Sequence, residues 1–440
     1  MKTKKTIAGI INILLAAIMV LSLASCGDKA SAFSKKIDAM EAAAKSGNRA
    51  EFEKASEEAV IFCFDKLKIH FWDLNKELSE KDKDGKITEL IDRMFEISLS
   101  APAQSEDDFE FKLSDDGNGV IITDYKFFHD GYDAWNKDNG KRFIVIPSEI
   151  QGLPVIKVSF EKFLKNIYTI SVPGSVKVCG GIGNCYNLKL AEGVEQVYGF
   201  SSVNSFDKYD GSIRKVDLPS SLKRIGASAF EGQINLESIN LGSNIVSIGD
   251  SAFKACIKLK EITLPDSLIT IDNFAFYRSG LEKVILPSSL KVIGCEAFAK
   301  TKIENITFPD SVKWLGTGVF KDCENLKSLS LPSSIKYIFY DTDTLLYNTQ
   351  IVSDCDNLEK IELAEGFNPI ITYFEKAVHS RQEKDWETRD YTDMFKGKKI
   401  DTNLSIQKTL KSHAPFEQLT CGTISPLGKE YWGLKNIGRE

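Results

Sequence analysis

The sequence lacks the patterns that mark most catalytic and metal-binding proteins. Among 440 residues there are four histidines, His70, His129, His379 and His413, and no H-E-x-x-H pair. No C-x-x-C pair, phosphate-binding glycine loop or G-x-S-x-G elbow is present. We therefore predict a protein that is not an enzyme and has no catalytic residues, no cofactor, no metal site and no small-molecule substrate. A hydrolase whose residues converge only in the folded chain, around residues 172–217 or in the tail, is the less favoured alternative.

An excess of positive charge is also missing. The formal net charge is −6, with 27% charged residues, so nothing indicates a nucleic-acid partner. The hydrophobic content of 42% is ordinary for a folded protein. Beyond the first 25 residues no apolar run approaches the length that a membrane-spanning helix needs.

The first residues resemble a bacterial lipoprotein signal. Lys2, Lys4 and Lys5 precede an apolar run, Ile7–Leu23, and L-A-S-C-G follows at residues 23–27. In such signals the cysteine is lipidated and becomes the first residue after cleavage. We therefore expect a signal peptide at 1–25 and lipid attachment at Cys26, which would hold the chain on a membrane outside the cytoplasm. An uncleaved membrane helix is the alternative, but the run is short and Asp28 ends it.

Residues 26–104 are predicted to form a helical spacer. Apolar residues recur at helical spacing from Phe33 to Ala44, from Arg49 towards Leu78, and from Thr88 onwards. The acidic stretch at residues 80–91 has the outline of a calcium loop. Its last position is Ile91, where a glutamate is needed, so we interpret it as a charged turn between helices.

One short sequence segment repeats through the middle of the chain. L-P-S-S-L-K-R-I-G-A-S-A-F at Leu218 returns in similar form at residues 241, 264, 286, 308 and 331, so the starts are 23, 23, 22, 22 and 23 residues apart. A fixed period in the twenties predicts stacked supersecondary units. Ile239 and Leu241 should face the inside of a strand, with Ser238 and Asn240 outside.

Each unit also carries a phenylalanine that must be buried. Burial of such a side chain is worth about 1.5–3 kcal/mol, but one coil alone offers no opposite layer. Stacking supplies that layer, so we expect Phe253, Phe276 and Phe298 to form one buried column.

The repeat resembles the BspA-type leucine-rich repeat of bacterial surface proteins. Its consensus is L-P-x-S-[LVI]-x-x-I-G-x-x-A-F-x-x-C-x-x-L, and looser copies extend the resemblance from Phe109 to Ile371. The resemblance implies an α+β fold: a leucine-rich-repeat solenoid of stacked parallel β coils at 109–371, preceded by the helical segment. A C-terminal cap or tail at 372–440 would close it. The resemblance also implies attachment to proteins of a host or a neighbouring cell.

Four cysteines fall in the F-x-x-C slot of the repeat or its degenerate equivalents: Cys185, Cys256, Cys323 and Cys355. A cysteine there serves as a small buried apolar residue. Stacking distance permits a Cys323–Cys355 disulfide, but parallel side chains do not converge. We therefore predict two free, buried thiols.

The outward strand positions of the stacked coils form a row of side chains, which is the candidate partner-binding surface. Its members are Asp217, Asn240, Thr263, Ile285, Thr307, Ser330 and Glu362, beside Lys215, Ser238, Glu261, Lys283, Asn305, Ser328 and Lys360. The row is polar, of mixed charge and free of aromatics. The sequence predicts a lipid-anchored envelope or surface protein that binds other proteins without catalysis. An architectural envelope protein without a single partner is the alternative.

Overall fold

The computed structural model describes residues 29–71, 74–127, 139–160, 167–181, 185–199, 213, 215–341, 351–352, 354–365, 367 and 370–374. The chain divides into two compact units. The first takes the described residues of Met1–Asp108, Phe127–Pro147 and Lys165–Ser171, and the second takes those of Phe109–Lys126, Ser148–Leu164 and Val172–Glu440.

The helices lie near the start of the described chain. They are α1, helical through residues 29–46, α2 (Arg49–Phe62), α3 (Leu74–Lys81) and α4 (Lys86–Ser98). A π-helical turn at Cys63–Leu67 follows α2, and short 3-10 turns lie at Glu106–Asp108 and Asn139–Arg142.

The strands are short and numerous. They are β1 (Phe109–Leu113), β2 (Val120–Tyr125), β3 (Phe143–Val145), β4 (Glu149–Ile150), β5 (Leu153–Ser159), β6 (Thr169–Val172), β7 (Val178–Gly180), β8 (Asn187–Leu190), β9 (Gln196–Tyr198), β10 (Lys215–Asp217), β11 (Arg224–Ile225), β12 (Ser247–Ile248), β13 (Glu261–Ile262), β14 (Thr270–Ile271), β15 (Lys283–Val284), β16 (Val292–Ile293), β17 (Asn305–Thr307), β18 (Trp314–Gly316), β19 (Ser328–Leu331), β20 (Tyr337–Asp341), β21 (Lys360–Leu363) and β22 (Ile370–Phe374).

The helices of the first unit begin and end where local chemistry dictates. The Asn48 side chain accepts hydrogen bonds from the backbone N–H groups of Ala50 and Glu51, so α2 begins there. The sequence predicted one helix from Arg49 towards Leu78, and that prediction is wrong. Lys68 adopts a left-handed conformation with φ of 59°, which ends the π turn and separates α2 from α3.

The helix α4 follows the predicted acidic turn. The Asp82 carboxylate accepts hydrogen bonds from the backbone N–H groups of Ile87 and Thr88, at 3.1 and 2.6 Å. Its oxygens therefore serve the first turn of α4, as the interpretation of a helix–helix turn requires. Ile91 and Met94 of α4 are buried, as the helical spacing predicted. In the same unit β3 and β6 pair in parallel.

A 13-stranded sheet, the long sheet, runs through the second unit. It begins with the antiparallel pair β1–β2 and continues through β5, β7, β9, β11, β12, β14, β16, β18, β20 and β22, with β4 beside β5. From β2 onwards neighbours on this path are parallel, one strand per coil. The long sheet is formed by the segment just before each G-x-x-A-F stretch or its equivalent, where Ile225, Ile248 and Ile271 are buried in the core.

The segment in which the sequence predicted strands is less regular. Residues 236–241 form no strand, although Ile239 and Leu241 are buried and Ser238 and Asn240 are exposed as predicted. Earlier in the chain β8 and β10 pair in parallel. The later copies also pair in parallel and form the short sheets β13–β15 and β17–β19–β21.

A third set of backbone hydrogen bonds accompanies the phenylalanines. The N–H of Phe253 donates to the carbonyl of Ala275 at 2.7 Å, and the N–H of Phe276 donates to Ala297 at 2.8 Å. Each donor therefore points to the next coil, whereas in the long sheet the N–H of Gly249 points back to Ile225. Residues in the left-handed conformation flank these donors, such as Ser251 and Ala255 with φ of 56° and 61°.

The phenylalanine column is confirmed. Phe230, Phe253, Phe276, Phe298 and Phe320 are all fully buried, and neighbouring rings stack with centroids 5.3 to 6.1 Å apart. Parallel coils bonded on three sides and packed around this column are the predicted α+β fold, a leucine-rich-repeat solenoid with a helical segment before it.

Candidate interaction surface

The strand alternation of the short sheets fixes which side chains face solvent. Ile262, Val284 and Ile306 lie inside, so the residues on either side of each must lie outside. The structure places the predicted outward residues accordingly. Those that it describes as exposed are Ser238, Asn240, Glu261, Thr263, Lys283, Ile285, Asn305, Thr307, Ser330, Lys360 and Glu362, with Ser328 half-buried. This set is called the short-sheet row below.

Backbone pairing brings the members of the short-sheet row together. Glu261 is the register partner of Lys283, so opposite charges are neighbours across β13 and β15. Thr307, Ser330 and Glu362 form a second line across β17, β19 and β21. Lys360 also forms an ion pair with Glu362.

The predicted outward residues Lys215 and Asp217 lie in β10, before the short-sheet row, and the structure describes only their backbone. Lys215 and Asp217 pair with Asn187 and Lys189 of β8. The register therefore extends the row across β8, while the side chains of both residues lie outside the described part.

Ile285 is the one apolar member of the short-sheet row. Its side chain is 72% exposed, between Thr263 and Thr307 in the repeat. The Asn240 side chain accepts a hydrogen bond from the backbone N–H of Gly242 at 3.0 Å, so this amide has a fixed orientation. A protein partner would meet a mainly polar line with one apolar contact at its middle.

A second outward surface, missed by the sequence reasoning, lies on the long sheet. One residue before each buried aliphatic of the long sheet faces away from the core. This long-sheet row consists of Gln196, Arg224, Ser247, Thr270, Val292, Trp314 and Tyr337. The signal was present in the sequence as the residue before the buried aliphatic residue of each coil, such as Arg224 before Ile225.

Arg224 marks the polar end of the long-sheet row. Partial burial lowers the pKa of its guanidinium, and the charge of Glu195 opposes that shift. Among the described residues its Nε has no hydrogen-bond partner. Arginine is a frequent anchor in protein interfaces, so Arg224 is a candidate contact for a protein partner.

Trp314 and Tyr337 mark the aromatic end. Their rings stack with centroids 4.1 Å apart and planes 20° from parallel. Val292 and Cys295 pack on Trp314 and form an apolar cluster with it, against which Tyr337 packs. Both Val292 and Trp314 are only 5% exposed, although their register places them outside the core.

The thiols of the repeat slot are structural. Cys256, Cys323 and Cys355 are free and fully buried. Each thiol donates to the carbonyl of a phenylalanine in the preceding coil: Phe230 at 3.1 Å, Phe298 at 3.2 Å and Phe320 at 2.9 Å. Burial raises the pKa of Cys256 and of Cys323, so neither is a reactive thiolate. Cys185 is likewise buried.

The ionisable clusters of the first unit are ion pairs. Asp108 is buried and bonds Lys141 at 2.9 Å, and Lys141 also lies 3.2 Å from Glu53. His70 lies 3.1 Å from Glu77. Within the residues that the structure describes, no three metal-ligating side chains come together. These groups are therefore paired locally within the first unit.

The predicted lipid-attachment residue, Cys26, lies outside the described residues, as does residue 375 onwards. Among the residues described, no helix is long and apolar enough to cross a membrane.

Comparison with known proteins supports the repeat assignment. The family described as BspA type leucine rich repeat region matches residues 201–327 and 246–374, with six copies. A search of curated proteins found no match.

Several solved structures are similar over about three-fifths of this chain. A leucine-rich repeat protein from Bacteroides ovatus is 20% identical, with 61% of this chain and 78% of that chain covered and a TM-score of 0.35. A leucine rich cell surface protein from Faecalibacterium prausnitzii is 18% identical, with 59% and 76% covered and a TM-score of 0.32. The pneumococcal vaccine antigen PcpA is 18% identical, with 61% and 89% covered and a TM-score of 0.33.

Proposed function

We propose that this protein is a lipid-anchored component of the bacterial cell envelope that binds other proteins through the short-sheet row and performs no catalysis. The observation that carries the proposal is the geometry of that row. Parallel pairing holds exposed side chains in fixed register, as with Glu261 beside Lys283, on a buried scaffold. Rigid elements present such side chains at a small cost in conformational entropy on binding.

Anchoring rests on the N-terminal sequence. The basic residues, the apolar run and the L-A-S-C-G segment together support lipid attachment at Cys26. Several acyl chains on one cysteine exceed the two signals that stable anchoring needs. In this proposal residues 1–25 are removed and residues 26–104 space the repeats of 109–371 from the membrane. Residues 372–440 act as a cap or tail.

The partner would be a protein of a host, of a neighbouring cell or of the envelope itself. The short-sheet row alternates Glu261, Lys283 and Glu362 with hydroxyl and amide side chains. Charges of both signs favour a polar protein surface with complementary charges rather than a uniformly charged polymer. Ile285 would supply the apolar contact at the centre.

A second candidate is an architectural envelope protein without a single partner. The composition of the short-sheet row favours it, because the row contains no Trp, Tyr or Arg, the residues that dominate binding hot spots. Under this alternative the stack of coils has a structural role in the envelope, and the side chains of the short-sheet row bind no specific partner.

A capture experiment separates the two. Purified chain 27–440 is immobilised and exposed to envelope extracts and to intact neighbouring or host cells. The test variant carries Lys283→Glu and Ile285→Asp in the short-sheet row. The matched control carries Ile257→Asp and Lys258→Glu, two exposed residues of the preceding coil that lie off the row.

The proposal predicts a partner that the control variant retains and the row variant loses. Capture of nothing specific would favour the architectural role. Equal capture of a specific partner by both variants would contradict binding through the short-sheet row.

A further inference from the structure

The residues Val292 and Trp314, at the aromatic end of the long-sheet row, are buried although they lie on the sheet face that points away from the core. Ile293 and Leu315 fill the core side of β16 and β18, so Val292 and Trp314 stand on the opposite face. Trp314 packs with Val292 and Cys295 and stacks on Tyr337. Neighbours in the same sheet flank an outward side chain but do not cover the side that faces away from the sheet. An exposure of only 5% therefore requires a further layer on this face.

The position of the chain end identifies the layer. The last strand of the long sheet, β22, pairs with β20, and Ile370 is the register partner of Tyr337. Two strand spacings of about 4.8 Å each separate β22 from β18. The strand β22 ends four residues beyond Ile370, so the chain leaves the long sheet roughly 16 Å from Trp314, and residues 375–440 follow.

The composition of residues 375–440 fits a cover for an aromatic surface. Trp386, Tyr391, Phe395, Phe416 and Trp432 are spread among charged residues, with few aliphatic runs that could form a core of their own. Aromatic side chains pack well against other aromatic rings, at about 0.5–1.5 kcal/mol per pair beyond burial. A chain of 66 residues, from 375 to 440, easily spans the distance to Trp314.

We propose that residues 375–440 dock on the face formed by Val292, Trp314 and Tyr337 and cover it within the same chain. The tail then does more than close the last coil. It shields the stacked pair Trp314 and Tyr337, the type of aromatic surface that otherwise favours non-selective association. The short-sheet row is left as the accessible surface. The inference does not depend on lipid anchoring or on partner binding.

Photo-crosslinking tests the docking in the full chain. Benzoylphenylalanine is placed at position 337, where it replaces an aromatic residue, and the products are mapped by mass spectrometry. The proposal predicts a cross-link within one chain to a peptide from 375–440, with a yield that is unchanged by dilution. The matched control carries benzoylphenylalanine at position 285 of the short-sheet row and should give no cross-link to that peptide.

Three results at position 337 would overturn the proposal. One is a cross-link between two chains whose yield rises with concentration, which would make a second copy the cover. Another is a cross-link only to a separate protein. The third is a cross-link confined to residues of the same chain outside 375–440.

Limited proteolysis gives an independent measurement that does not require the probe to be tolerated. Trp314→Ala removes an outward ring and leaves the core side of β18 intact. Trypsin cleavage between Lys376 and Lys399 should accelerate by about tenfold, the change expected for roughly one lost aromatic contact. Cleavage within residues 215–341 should not change. Unchanged cleavage between Lys376 and Lys399 would contradict the docking.

Discussion

Phe253 and Phe276 lie ring on ring in consecutive coils, with centroids 5.3 Å apart and planes within 3° of parallel. Neither side chain has any exposed surface. The contact joins residues 23 positions apart, so it records the period of the sequence directly in the packing. It also explains why a single coil is not a stable unit, since each ring is the opposite layer for its neighbour.

Removal of one ring from the column should be costly. Phe276→Ala leaves a cavity between Phe253 and Phe298, and we expect the free energy of unfolding to fall by about 3–5 kcal/mol. Chemical denaturation measures the change. The control is Ile285→Ala, an exposed position at which we expect less than about 0.5 kcal/mol. A loss below about 1 kcal/mol for Phe276→Ala would mean that the column contributes little.

Glycine should stabilise the protein at a position where the backbone is left-handed. Ala255 has φ of 61°, and Gly232 occupies the same position one coil earlier with φ of 73°. Ala255→Gly should raise the free energy of unfolding by about 1 kcal/mol, because glycine adopts this conformation without a Cβ clash. Ala255→Val should lower it, since a β-branched residue is strained there. Thermal unfolding of the three proteins should rank them Gly, Ala, Val, and any other order would contradict the conformation.

Stability should decrease in alkaline solution because of the buried thiols. Burial raises the pKa of Cys256 above its ordinary value of 9.0. The folded protein keeps the proton where the unfolded chain has lost it, so this stabilisation is complete below pH 9 and is lost as pH rises further. Unfolding titrations at several pH values measure the slope. In Cys256→Ser, which does not titrate there, the slope above pH 9 should be shallower by about 1.4 kcal/mol per pH unit. Identical slopes would indicate that the thiol is not protected.

Membrane attachment should depend on the thiol of Cys26. Cys26→Ser should prevent lipidation, and no other apolar run in the sequence can hold the chain. With its signal peptide removed, the variant should appear in the soluble fraction after a high-salt wash. The parent protein should remain with the membranes. Retention of the variant would place the anchor elsewhere.

The sequence predicted the features that period and polarity determine. The phenylalanine column, the buried slot of Cys256 and the outward positions of Asn240 and Thr263 all follow from spacing alone. The same period predicts stacked units, and the resemblance to the BspA-type repeat implies the α+β solenoid that the structure shows.

Features that depend on coil-to-coil contact were not predictable in this way. β11 and β12 are two residues long, which is too short for alternation to be visible, so the long sheet was missed. The glycine of the I-G segment also depends on the neighbouring coil. A Cβ added to Gly294 would lie 2.4 Å from the backbone nitrogen of Asn273, so that glycine permits close stacking. The outward position of Trp314 was not predicted, because it follows from the pairing of β18 with β16 and β20.

The central claim is that the short-sheet row binds a protein. Backbone hydrogen exchange of the chain, measured with and without the captured partner, tests it most directly. The row predicts slower exchange in residues 261–263, 283–285, 305–307 and 328–330, with the largest effect beside Ile285. Slowing that is confined to other segments, or no slowing at a concentration that saturates the partner, would contradict the claim.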